Sequence, residues 1–185
     1  MFKNIVSSLF ALVAAPGKAW QSISSKEESQ ATFLNGYLYP IMGITALSVF
    51  VNLLNDQFTL EKALKLMTID FVKFFVGFYI ASFLIDELLQ KFFDREKNPK
   101  QVQLFVGYTL SVYMLITIFL NLFMGMFSFL RFAPLYIIYV IWEGSKYYMD
   151  ENKRLIFVVL SSLILIFSPD IIERFMFILM PGLGN

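Results

Sequence analysis

The chain alternates long apolar stretches with short polar interruptions, and the stretches recur at bilayer-crossing length. Four of them run at about 33–55, 66–90, 102–121 and 122–142. Each has the roughly 20 apolar residues that a helix rising about 1.5 Å per residue needs to cross ~30 Å of hydrocarbon. The third and fourth touch, which predicts a tight hairpin around residues 121–125. A fifth stretch, 155–180, is interrupted by Ser168, Pro169 and Asp170. Serine at a cap, proline at the first helical position and an acid in the first turn form a helix-start signal. Residues 155–167 alone would reach only about 20 Å. The fifth crossing is therefore expected to be broken at 168–170, with 171–180 forming a second half-helix.

Ahead of these spans, Phe2, Ile5, Val6, Leu9, Phe10 and Val13 recur at helical spacing, with Lys3, Asn4, Ser7 and Ser8 on the other side. That pattern predicts an amphipathic helix lying in the membrane interface. A signal peptide is the weaker reading, because Ser7 and Ser8 interrupt the apolar run and a single lysine makes a poor basic flank. Pro16-Gly17 ends the helix and sets Trp20 at headgroup level. Trp142, with Tyr136, Tyr139, Tyr147 and Tyr148, reads as an aromatic belt at the close of the fourth span. The expected fold is all-α: a polytopic helix bundle with five transmembrane helices over 33–185, preceded by a cytoplasmic amphipathic segment, 1–32.

Composition agrees and narrows the function. Of 185 residues 58% are hydrophobic, and the mean hydropathy is +0.67, more apolar side chain than a soluble domain of this size can cover. There is no Cys and no His, so disulfides, thiolate nucleophiles, haem ligation and the usual zinc sets are excluded. No phosphate loop or serine dyad is evident, so neither an enzyme, a metal site nor a cofactor is expected. The net charge of +1 offers nucleic acid no attraction. The cations are unevenly placed. Lys3, Lys18, Lys26, Lys91, Arg95, Lys97, Lys100, Lys146, Lys153 and Arg154 fall on one side of a five-span arrangement, and Lys62 and Lys65 on the other. By the positive-inside rule the N-terminus is cytoplasmic and the C-terminus lies across the membrane.

The segment Pro16–Ile23 (PGKAWQSI), the pair Glu27-Glu28, the Tyr-Leu-Tyr-Pro at 37–40, the basic loop at 92–108 and the stretch 133–144 (APLYIIYVIWEG) resemble bacterial members of the Yip family. These are five-span membrane proteins named for eukaryotic relatives that bind Rab GTPases. The resemblance implies a five-helix bundle with a cytoplasmic N-terminus in the bacterial inner membrane, and no catalytic residues. Relatives often carry a proline soon after the tyrosine of the third span. Here Tyr108 is followed by Thr109, Leu110, Ser111 and Val112, so no kink is expected there. Eukaryotic relatives also have a longer cytosolic N-terminal region, and the short segment 1–32 argues against Rab-type binding.

Ionisable groups at membrane depth are costly unless paired, and so are the residues most in need of a role. Asp70 and Lys73, three apart, share a helix face and can pair. Arg131 falls near the middle of the fourth span, about level with Asp170 and somewhat below Asp70, and pairing with one of them is expected. Glu173 and Arg174 follow the break. The plainer reading of this network is mutual neutralisation that locks helix register; the sharper one is a proton or solute pathway. Asp86 and Glu87 read as interfacial, Gly77 and Ala81 as a close-packing motif, and Ser161 and Ser162 as satisfied by their own helix. The leading expectation is a non-enzymatic scaffold or adaptor that works through lateral contacts with other membrane proteins or with itself. A small proton-coupled transporter using Asp70, Arg131 and Asp170, or an accessory subunit of a larger complex, are the alternatives.

Overall fold

The computed structural model describes residues 2–26, 28–123 and 128–180, without the side chains of 2–4 and 128–131. Among them all regular structure is helical. Helix α1 (Phe2–Ala14) turns at Ala15 into α2 (Pro16–Ser24), whose first residue is the proline that the first helical position tolerates. Then come α3 (Gln30–Leu54), α4 (Leu60–Phe93), α5 (Pro99–Leu122), a 3-10 segment (Ser128–Leu135) leading into α6 (Tyr136–Ser145), and α7 (Glu151–Leu179).

Local chemistry sets these boundaries. Thr59 caps α4 by accepting from the Lys62 amide, and Asn98 caps α5 by accepting from the Gln101 amide with Pro99 next in line. At the end of α4, Asp94 is left-handed (φ 53°), and the amides of Asp94 and Arg95 both bond to the Leu89 carbonyl. Within α3 a π turn at Leu34–Leu38 precedes Pro40; the Tyr39 amide reaches back five residues to Leu34. Pro40 has no N–H to continue the ladder, and the wider turn is where the backbone absorbs that loss.

Helices α3, α4, α5 and α7 are long and apolar enough to cross a membrane. The expected fourth crossing, a single helix over 122–142, is not what forms: Ser128–Leu135 is 3-10, with Pro134 inside it, and only Tyr136–Ser145 is α-helical. The tighter helix rises about 2 Å per residue. Eight such residues followed by ten at about 1.5 Å still extend roughly 31 Å, enough to return beside α5. Tyr136 lies near Phe119, and Tyr147 and Tyr148 near Gln101. Of the hairpin predicted at 121–125, residues 124 and 125 lie outside the described residues. Among the described residues α6 thus runs back beside α5, and the segments around 23–26, 94–101 and 147–148 meet at one end, the basic end.

The expected break at 168–170 is also corrected. Helix α7 runs unbroken through Pro169. The Ser168 hydroxyl turns back to the Ile164 carbonyl at 2.5 Å instead of capping a new helix, and Pro169 packs on α4 at Gly77, where an added Cβ would stand 3.4 Å from the proline nitrogen. α5 is likewise unbroken past Tyr108.

The N-terminal helix forms as expected but does not lie alone. α1 and α2 are antiparallel, Ser7, Ser8 and Ala11 facing Ala19, Ser22 and Ile23. Ile5, Leu9 and Leu12 are buried, while Val6, Phe10 and Val13 stay exposed. The hairpin apex docks between α5 and α6: Tyr136 donates to the Val13 carbonyl at 2.7 Å, and Val13 shares an apolar pocket with Val112, Ile116 and Phe119. Val112 is thirteen residues into α5, about 20 Å from its first residue.

Candidate functional site

Towards the end of the bundle opposite the basic loops, four helices converge on a buried polar cluster. Asp70 and Lys73, on one face of α4, are 7% and 6% exposed and bond at 2.7 Å. The second Asp70 oxygen accepts from Asn121 on α5 at 3.2 Å, and the same amide donates to Ser48 on α3 at 2.8 Å. From α7, Glu173 approaches the Lys73 ammonium to 3.5 Å, and Asp170 accepts from Tyr113 at 2.6 Å. The ammonium also lies 5.2 Å from the Phe74 ring centroid. Asp70 and Lys73 thus both have partners, as low-dielectric burial demands.

The predicted network is therefore brought together in part. Asp70, Lys73 and Glu173 meet, and Asp170 joins through Tyr113 rather than through a cation. Arg174 is exposed and stands outside the cluster. The expected pairing of Arg131 lies outside the described residues, because its side chain is not among them. Asp70 reaches Asn121, the last residue but one of α5, so this part of the cluster sits towards the end of the bundle away from the basic loops.

Trp20 is a second correction. It is fully buried rather than a headgroup anchor. Its indole N–H donates to the Val140 carbonyl at 2.9 Å, and its ring lies on Gly144 and among Phe105, Tyr108 and Tyr148. A glycine in α6 opens the space, a signal sequence alone does not reveal. Trp142 remains 37% exposed on the same helix. Ser161 and Ser162 are not bonded to their own helix as expected. They are among the buried side chains left without a hydrogen-bond partner, with Ser82, Thr109 and one oxygen of Asp86.

The basic end carries recessed surface that sequence reasoning missed. A cavity of about 440 Å³ is lined by Arg95, Lys97, Asn98, Gln101 and Tyr148, and a neighbour of about 290 Å³ adds Lys26 and Lys100 while sharing Asn98, Gln101, Tyr147 and Tyr148. Arg95 bridges to Asp150 at 3.2 Å. Lys97 is bonded to Glu87, which holds its ammonium above the usual lysine range. Burial pushes the Tyr148 phenol up. Among the described residues no cluster of three or more acidic side chains could hold a metal ion.

Four helices of membrane-crossing length with ion-paired interior charges define a multi-pass helical membrane protein. The Yip1 domain matches residues 10–169, nearly the whole chain, and the protein belongs to that family. No curated protein and no solved structure matches the chain.

Proposed function

We propose that this protein is a non-enzymatic membrane scaffold or adaptor, with its N-terminus and basic end facing the cytoplasm of a bacterial cell and its bundle in the inner membrane. The ten-to-two distribution of Lys and Arg outside the spans supports the orientation. The observation that carries the role is the pair of adjoining cavities at the basic end, sharing Asn98, Gln101, Tyr147 and Tyr148. They combine aromatic rings, amides and the rim cations Lys26 and Lys100, a mixture suited to an acidic, partly apolar segment of another membrane protein or of a second copy. The interior charges, by contrast, are spent on one another.

A photo-crosslinker at Gln101 tests this. Discrete protein adducts are expected in native membranes, weakened by Lys26→Glu with Lys100→Glu and absent from a probe at the outward-facing Phe167. Lipid adducts alone at Gln101 would defeat the reading. Proton-coupled transport is the second reading, supported by the unpartnered hydroxyls of Ser82, Thr109, Ser161 and Ser162 in the helical core. Proton flux into liposomes that Lys73→Met abolishes would favour it.

A further inference from the structure

A third recess lies outside both sites described above, between the last turns of α4 and the first turn of α5. Its volume is about 270 Å³, and Tyr79, Ser82, Phe83, Asp86, Pro99 and Gln103 line it. Ser82 and Asp86 are four apart and so share a face of α4. The Ser82 side chain is only 5% exposed, yet its hydroxyl has no hydrogen-bond partner, and neither does the buried Asp86 Oδ1. Buried polar atoms are rarely left so. Lys97, whose charge also faces Asp86, gives its hydrogen bond to Glu87.

Asp86 Oδ1 can only accept while ionised and Ser82 can accept as well as donate, while Gln103, whose carbonyl already accepts from Gln30, offers N–H donors. Two aromatic rings, Tyr79 and Phe83, complete the wall. Acceptors beside π faces suit a compact cation that carries several N–H donors, which is a primary ammonium. The position names its source. Asp86 is seven residues, about 10 Å, from the end of α4 at the basic end, and Ile80, Phe83 and Leu84 beside it form an exposed apolar face. A recess opening onto apolar surface near the end of a membrane-crossing helix faces lipid headgroups.

We infer that this recess binds the ammonium of an ethanolamine-type phospholipid, with Asp86 as counter-ion and Ser82 as a second acceptor. Purified protein in nanodiscs, washed in detergent and analysed by native mass spectrometry, tests it. Phosphatidylethanolamine is expected to be retained at least about ten-fold over phosphatidylcholine, whose trimethylammonium has no N–H to donate. Asp86→Asn should remove most of that preference and Ser82→Ala part of it. Glu61→Gln, at a carboxylate paired with Lys65 at the opposite end of α4, should leave it intact. Free ethanolamine as competitor separates headgroup chemistry from the whole lipid: displacement shows that the ammonium suffices, whereas binding of ethanolamine without retention of the lipid overturns the phospholipid assignment. Equal retention of both lipids by the unaltered protein, or an unchanged preference in Asp86→Asn, overturns the proposal. The lipid comparison needs no variant, so it stands even if Asp86→Asn fails to fold.

Discussion

Lys73 lies between two carboxylates with almost none of its surface exposed, and its loss would strand Asp70 in a dry interior. Lys73→Met is expected to cost about 3–5 kcal/mol, the usual penalty for breaking a buried ion pair, read as thermal unfolding in mild detergent. Adding Asp70→Asn should recover part of it, giving a non-additive coupling of about 0.5–3 kcal/mol; strictly additive losses would mean that the pair is not in contact. Trp20 makes a sharper steric case. A Cβ on Gly144 would stand 2.6 Å from the indole, so Gly144→Ala should destabilise by about 1–3 kcal/mol, the range for overpacking. The first of these sites was legible in the sequence because three-residue spacing on a helix brings side chains together whatever else surrounds them. The second was not, because the cleft that swallows Trp20 is made by residues some 120 positions away.

At the scale of elements, four of the five apolar stretches gave their helices nearly at the expected bounds, since length and hydropathy alone determine what can satisfy its backbone within lipid. The errors came where proline was read locally. Ser168-Pro169-Asp170 has the composition of a helix start, yet in α7 the proline lies against Gly77 and the serine bonds backwards, so packing against α4 overrides the local signal. Gly77 should therefore tolerate Ala, whose methyl would meet Pro169 at ordinary contact distances, within about 0.5 kcal/mol, while Gly77→Leu should lose about 1–3 kcal/mol by forcing the two helices apart. Thermal unfolding of the two variants side by side checks the contact. Pro134 was misjudged in the opposite sense: the stretch containing it was read as plain helix, and it forms the more extended 3-10 segment.

For the whole molecule, the four helices of crossing length followed from apolar length, whereas the placement of the N-terminal hairpin and the basic-end cavities depends on contacts between distant segments. The absence of native cysteine makes the topology directly testable by single-cysteine labelling with a membrane-impermeant maleimide. Cysteines at Glu96 and Ser24 should label from one face of sealed vesicles and a cysteine at Gln57 only from the other. A cysteine at Ala15, at the hairpin apex, should be strongly protected in intact membranes; labelling there as fast as at Ser24 would mean that the hairpin lies flat on the surface.

The bond from Trp20 to Val140 joins residues 120 positions apart. At ordinary translation speeds of about 5–20 residues per second, roughly 6–24 s separate the emergence of these two residues from the ribosome. Through that interval the nascent hairpin has no groove to enter, because α6 does not yet exist. Its apolar residues, Phe10 and Trp20 among them, must wait against lipid or a chaperone, and a segment made well before α6 finds its place only after it.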